Sequence, residues 1–290
     1  MTMRGHWRGY AKVAGAAATW GTWSLFLKPA ERLGHVSPAL EAFFIFAACT
    51  LLLMPRAIRA RSPAARTPRG WAVMLLLGTA DSFNALCFFW AMQRTSLAIA
   101  VLSHYLAPVF IAAAAPWVLR ERARVATWIC IAVALVGLVL LLEPWRSLSD
   151  SVFMGASLGA LSAVFYAMNV LTTKRLHTWF SPTEFIAFHA APAAVIVALF
   201  VPHGGWAIGF PSAIILAAGA LVPGTLAGVV FLEGLFAIPA SHASILTLLE
   251  PLVAVLLGVA VWNEPLSLTG WAGASLILMG AYGVMRSETK

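Results

Sequence analysis

Ten stretches of this chain run for about twenty residues with almost no charge: 11–29, 38–55, 71–93, 97–119, 125–143, 152–173, 181–202, 211–236, 240–262 and 268–286. The hydrocarbon core of a bilayer is roughly 30 Å thick and takes about 20 apolar residues per helix, so each stretch can cross it. The chain as a whole is 61% hydrophobic and only 10% charged, with a mean hydropathy of +0.87; soluble domains carry about a quarter charged residues. Runs such as VATWICIAVALVGLVLLL (125–142) are apolar on every side. They lack the alternation of a lipid-facing β-strand, and a helix satisfies its backbone polar groups without neighbours. The reading is an all-α membrane protein of ten spans, with connections too short for a soluble domain. The first stretch is not expected to be a cleaved leader, because Trp20, Trp23 and Lys28 interrupt it and no small-residue cleavage site follows.

Charge sets the orientation. With the N-terminus inside, Arg4, Arg8, Lys12, Arg56, Arg59, Arg61, Arg66, Arg69, Arg120, Arg122, Arg124, Lys174, Arg175, Arg286 and Lys290 fall inside. Lys28, Arg32, Arg94 and Arg146 fall outside, so 15 of the 19 basic residues share one side, as the positive-inside bias requires. This predicts a multi-pass protein of the inner (cytoplasmic) membrane with both termini cytoplasmic. The net charge of +8 is then a topology signal, and the RAIRARSPAARTPR loop (56–69) reads as a solvated holding loop, not a nucleic-acid site. Cys49, Cys87 and Cys130 lie singly in apolar runs and read as packing residues, without disulfide or metal spacing.

The chain is also written twice. With residues 97–121 laid over 240–264, a shift of 143, Pro108 meets Pro251 and Glu121 meets Glu264; further on, Trp128 meets Trp271 and Gly137 meets Gly280. The first runs of the two halves align at a shift of 146, so that Trp20 meets Tyr166, Trp23 meets Asn169 and Lys28 meets Lys174. Such a period marks an internal duplication, with units 1–145 and 146–290 joined through EPWRSLSDS (143–151). Five spans per unit put the second unit into the membrane upside down. Arg120, Arg122 and Arg124 flank Glu121, whereas the loop at Glu264 has no basic residue, as inversion requires. The expected architecture is two inverted five-helix repeats around a central cavity, a plan common among secondary transporters, with substrate near the midplane.

The segments TSLAIAVLSHYLAPVFIAAAAPWVLRERARVATWICIAVALVGLVLLL (95–142) and ASHASILTLLEPLVAVLLGVAVWNEPLSLTGWAGASLILMGAYGVM (240–285) resemble the two halves of an EamA-type member of the drug/metabolite transporter superfamily. The resemblance covers nearly the whole chain. Its signature, present in both halves, is a proline followed thirteen residues later by a glutamate at a loop, then an apolar final helix. It implies a cavity lined by spans 1–4 and 6–9, with spans 5 and 10 outside it. It also implies export of amino acids, related metabolites or drugs.

Several residues interrupt the apolar runs. In ILTLLEPLVAVLL (245–257), Glu250 stands before Pro251. An ionised carboxylate at a helix centre costs about 2.5–3.5 kcal/mol on insertion scales, so it should face a cavity or a partner. Its helical stripe holds Ala243, Thr247 and Ala254, and Pro251, without an N–H, is expected to leave the Thr247 carbonyl free. The notch can hold a proton or exchange it for an ammonium group; the plainer alternative is a glutamate that locks two helices together. The matching SHYLAP has Ala107 for the acid, with Pro108 expected to free the carbonyl of His104. His104 is then a proton acceptor, a substrate donor or an interhelical hydrogen bonder, with Tyr105 turned about 100° away as a packing or interfacial ring. Asp81 and Asn84 share a face of span 3. Pro223 and Gly224 predict a kinked or broken span 8, and Glu233 nearer its inner end is a vestibule or gate candidate. Trp20 and Trp23 on span 1, and Tyr166 and Asn169 on span 6, can supply an aromatic wall with polar anchors. His189 reads as a hydrogen bonder. The resemblance implies that Glu121 and Glu264 pin helix ends, by pairing with arginine or by capping the next helix.

These features favour a secondary carrier working by alternating access, exporting amino acids or related small metabolites down their gradient or against protons. A carrier of cationic drugs or quaternary ammonium compounds is the alternative. An intramembrane enzyme is disfavoured: GASLG (155–159) fits G-x-S-x-G but lies in an apolar run, where Gly155 and Gly159 read as helix packing. The sequence contains no HExxH, GxGxxG or P-loop pattern, so no metal and no cofactor is expected, and a channel would require charged rings or a filter. Expected partners are a small-molecule substrate, the lipid bilayer and protons, without nucleic acid, in a monomer or homodimer.

Overall fold

The computed structural model describes residues 3–34, 36–146 and 152–287, with side chains from Trp7 onward. Most of the joining segment between the two halves, and Lys290, lie outside the described residues. Among the described residues the chain is helical and contains no strand. The first half holds α1 (Met3–Gly21), α2 (Ser24–Leu33), α3 (Pro38–Ala60), α4 (Pro68–Arg94), α5 (Leu97–His104), α6 (Ala107–Val118) and α7 (Val125–Leu142). The second holds α8 (Val152–Arg175), α9 (Pro182–Ala198), α10 (Phe210–Gly219), α11 (Ala227–Leu235), α12 (Ala240–Leu246), α13 (Leu249–Trp262) and α14 (Leu268–Arg286).

Local chemistry sets where these helices start. Ser37, Thr67, Ser96 and Ser267 each accept from the backbone N–H three residues on, and Ser181 forms a capping box with Glu184. Each cap satisfies a donor that the first helical turn leaves open. Pro38, Pro68 and Pro182 occupy first-turn positions, where a missing N–H costs nothing.

Eight helical spans are long and apolar enough to cross a membrane: Pro38–Ala60, Pro68–Arg94, Leu97–Val118, Val125–Arg146, Val152–Arg175, Phe210–Leu235, Ala240–Trp262 and Leu268–Arg286. Two expected spans differ from these. Pro182–Ala198 is apolar but shorter at 17 residues, because Leu199 to Val201 turn ahead of Pro202, and a residue before proline is pushed out of the helical region. The N-terminal span is interrupted at Thr22 and Trp23, between α1 and α2.

Three further spans are irregular inside. The chain turns at Tyr105 and Leu106 between α5 and α6, and at Thr247 and Leu248 between α12 and α13. Between α10 and α11 it widens into a π turn, Ala220–Leu226, that contains Pro223. The kink expected there is thus a widened turn through which the helix continues.

In the bundle, α1 packs on α11, α4 on α8, α3 on α9, α6 on α12 and α7 on α14. The last pair is antiparallel. Arg124 donates to the Ser287 carbonyl (3.2 Å) at one end, and Ser267 donates to Glu143 (2.9 Å) at the other. The 18 residues of α7 separate these ends by about 27 Å at 1.5 Å per residue. Glycines let the two backbones touch: a Cβ on Gly137 would stand 2.8 Å from the Gly273 carbonyl oxygen, the small-residue packing used between helices in lipid. Gly137→Leu is expected to destabilise the protein by about 1–3 kcal/mol in detergent thermal unfolding. Gly15→Ala, whose added Cβ meets nothing within 4 Å, should leave the melting temperature unchanged or slightly raised.

Candidate functional site

The irregular segments converge on one cavity of about 400 Å³. Trp23 reaches it from the α1–α2 interruption, Tyr105 and Ala107 from the α5–α6 turn, Pro223 and Gly224 from the π turn, and Thr247 and Glu250 from the α12–α13 turn. Non-helical backbone inside a membrane is tolerated where it lines a cavity or is buried in protein, so the breaks and the cavity belong together. Glu41, Asp81 and Glu250 bring three carboxyls, and Trp20, Trp23, Phe88, Tyr105 and Tyr166 bring aromatic rings. Among the described residues that line it there is no lysine or arginine.

One wall is a chain of hydrogen bonds. His104 Nδ1 meets Ser162 Oγ at 2.8 Å, and Ser162 donates to Asn84 Oδ1 at 2.9 Å. The Asn84 amide donates to Asp81 Oδ1 at 3.3 Å, and Asn169 donates to the same oxygen at 3.1 Å. His189 Nε2 meets Asp81 Oδ2 at 3.1 Å, and its Nδ1 meets the Phe185 carbonyl at 2.5 Å. Asn169 therefore acts from behind Asp81 and does not itself line the cavity. Glu250, half-buried, and Tyr105 also line the cavity.

Some expectations change here. The Thr247 carbonyl is not free: the Glu250 N–H occupies it at 3.0 Å, because the chain tightens into a three-residue turn ahead of Pro251. Pro108 and Pro251 are buried behind the cavity, not on its surface. Tyr105 is a packing ring of the core, as expected, and it also lines the cavity beside His104, where helix α5 ends. Glu41, absent from the sequence candidates, is 8% exposed and accepts from the Trp23 indole N–H. It sits in the first turn of α3, where an acid is ordinarily explained by the helix dipole, which conceals any other role.

Other charged residues lie away from the cavity. Glu233 pairs with Lys12 at 2.6 Å, both side chains more than 40% exposed. Glu121 and Glu264 pair with lysines, not arginines. Lys174 reaches Glu121 at 2.8 Å and also donates to the Ile238 carbonyl, while Glu121 accepts from the Ala240 N–H at 2.9 Å. Lys28 reaches Glu264 at 2.6 Å, and Lys28 and Arg32 both stand over the Trp262 ring. Glu121 lies in the loop before Arg124 and Glu264 in the loop before Ser267, so these pairs mark opposite ends of the α7–α14 seam. Among the described residues no cluster of three or more His, Cys, Asp or Glu is placed to hold a metal ion.

Ser162 is fully buried and joins two chains of the wall. Ser162→Ala leaves His104 Nδ1 and Asn84 Oδ1 without their partner and should cost about 1–3 kcal/mol in detergent thermal unfolding. Ser157→Ala removes only an exposed hydroxyl bonded to its own helix at Phe153, and should change stability by less than about 0.5 kcal/mol.

Comparison with known proteins adds three findings. The model of the EamA-like transporter family matches residues 7–143 and 153–286. An uncharacterized transporter of Archaeoglobus fulgidus is 28% identical over 274 residues, 94% of each chain. The pseudopaline exporter CntI of Pseudomonas aeruginosa is 26% identical over 159 residues, 55% of each chain. A solved crystal structure superimposes with a TM-score of 0.77 at 21% identity, covering 95% of this chain and 96% of that one, a likeness of fold alone.

Proposed function

The chain belongs to the EamA-like transporter family, and from that premise we propose a secondary transporter that exports small amine-bearing molecules by alternating access. The cavity carries this reading. Three carboxyls, two histidines and an aromatic wall, with no lysine or arginine among the described lining residues, suit an ammonium group held by charge and by ring quadrupoles. An amino acid or related metabolite would be gripped by its amine. A zwitterion's carboxylate would meet only neutral or shared donors, so the lining favours the cationic end of that range. The exporter named among the relatives supports outward transport.

Two inverted repeats supply the motion in this reading. The pairing of α1 with α11 and of α8 with α4 is what exchange of two equivalent units produces, since α1 and α8 open the two halves. The Lys–Glu pairs follow the same rule. Lys28 and Lys174 end the first span of each half, Glu121 and Glu264 follow the fourth, and each lysine bonds the glutamate of the other half. They differ in setting: Lys174 is 10% exposed and tied by further hydrogen bonds, whereas Lys28 and Glu264 are 37% and 58% exposed. With the basic loops inside, the tighter pair closes the cytoplasmic end and the looser pair is the extracellular gate. The protein then sits in the inner membrane with both termini cytoplasmic.

Transport of choline and of amino acids into proteoliposomes tests the substrate class. Glu250→Gln should weaken the apparent affinity for choline by about tenfold to a hundredfold, the worth of a charge-assisted contact; unchanged affinity would remove Glu250 from the site. The gates are tested through Cys49, which lines the cavity, with Cys87 and Cys130 replaced by serine. Glu121→Gln should increase its labelling by a charged thiol reagent from the cytoplasmic side, and Glu264→Gln from the opposite side. Equal effects on both sides contradict the gate assignment.

A further inference from the structure

The hydrogen bonds around Asp81 have directions, and together they require a proton. The Phe185 carbonyl can only accept, so His189 Nδ1, at 2.5 Å, carries hydrogen. His189 Nε2 faces Asp81 Oδ2 at 3.1 Å. In a neutral ring with Nδ1 protonated, Nε2 offers only a lone pair, and so does an ionised carboxylate. The contact closes with one more proton, either on Nε2 beside the carboxylate or on Oδ2 beside a neutral ring. In both forms the pair is neutral overall; without that proton it carries one negative charge.

The site is also prepared for the proton's absence. Asn84 and Asn169 both donate to Asp81 Oδ1, and these bonds hold a bare carboxylate in place. The rest of the wall orients Asp81 but does not feed it. Asn84 receives the Ser162 hydroxyl on its oxygen and donates to Asp81 from its nitrogen, and an amide in that setting passes no proton between the two atoms. Proton exchange therefore runs through the cavity, which Asp81 and His189 both line. The titratable groups that line the cavity with the pair are Cys49 and Glu41 on α3, His104 on α5, Tyr166 on α8, Tyr105 after α5 and Glu250 on α13; Glu233, on α11 against α9, is turned to Lys12.

We propose that Asp81 and His189 form the transporter's proton site, loaded in the structure described and emptied when a cationic substrate enters, so that substrate and proton move in opposite directions. The emptying step rests on the amine-bearing substrate class proposed above; the proton's presence rests on the hydrogen bonds alone. Each step balances charge: one proton leaves a neutral pair as one monovalent cation enters beside the carboxylate.

Two measurements separate these parts. The first is the nitrogen NMR spectrum of histidine-labelled full-length protein in nanodiscs, with His189 assigned by loss of its signals in His189→Gln. Near neutral pH, His189 should be protonated at Nδ1, with Nε2 either protonated or accepting a strong hydrogen bond. Asp81→Asn, whose amide can donate to Nε2, should leave a neutral ring that no longer titrates with the cavity. A neutral ring protonated at Nε2, or titration identical in wild type and Asp81→Asn, overturns the proton site without any substrate. The second uses proteoliposomes enclosing a pH dye. Added choline, permanently charged and unable to leak as a free base, should raise the internal pH with wild type. Asp81→Asn should reduce that response by a larger factor than it reduces choline counterflow, since the carboxylate that takes the cation is lost together with the proton. Choline uptake by wild type without a pH change overturns the exchange. Absence of choline uptake overturns the cationic-substrate reading and the exchange with it, while the nitrogen spectrum still decides the proton site.

Discussion

A backbone that leaves the helical path inside hydrocarbon must find hydrogen-bond partners there, because no water will supply them. Among the described residues four apolar helical runs, three of them long enough to cross a membrane, leave that path, and their irregular segments meet at one cavity. The two short turns ahead of Pro108 and Pro251 and the π turn at Pro223 place polar side chains where continuous helices would present only their flanks. Thr225 returns a hydroxyl to the Ala220 carbonyl (2.9 Å) within the π turn, so the widened backbone is satisfied by its own sequence. Close approach helps as well: a Cβ on Gly21, beside the α1–α2 interruption, would stand 2.7 Å from Val253 Cβ, so only glycine lets α1 lie against the α13 segment that carries Glu250.

Around this centre the charges are sorted by sign. Acids and aromatic rings line the cavity, whereas Lys28 and Lys174 stand at the ends of the bundle, each bonded to a glutamate. In the proposed reading, a cation entering such a space meets carboxyls and ring faces at its centre, while of the two charge pairs assigned to the gates only Lys28–Glu264 is well exposed and screened. The α7–α14 seam stands apart from both. Its glycine contacts and terminal hydrogen bonds hold the two helices in close backbone contact along their length.

Much of this was legible because membranes punish the residues that carry it. Asp81, His104 and Glu250 stood out as polar residues in apolar runs, and the structure brings all three to the cavity. The proline–glutamate register also pointed to the two lysine–glutamate pairs, although arginine was the expected partner. Other members of the site carry no such signal. Ser162 is one small residue among many, and only its position between His104 and Asn84 gives it a role. Glu41 resembles any acid at a helix start. Tyr105 packs in the core as its apolar run suggests, and only tertiary packing reveals that the same ring lines the cavity. His242, buried against Tyr10 at 2.6 Å and Thr127 at 3.2 Å, joins elements more than a hundred residues apart, a distance that no local pattern spans.

The account depends on the two ends of the bundle opening in turn around the shared cavity. Spin labels in a cysteine-free protein, placed at Arg122 and Arg175 at the end that carries Glu121 and Lys174 and at Glu31 and Pro265 at the end that carries Lys28 and Glu264, all exposed, report those distances by electron–electron double resonance. The predicted result is two distances at each end, with Glu121→Gln shifting the pair at its own end toward the longer one and the opposite pair toward the shorter. A single unchanging distance at both ends, or widening of both together, would contradict it.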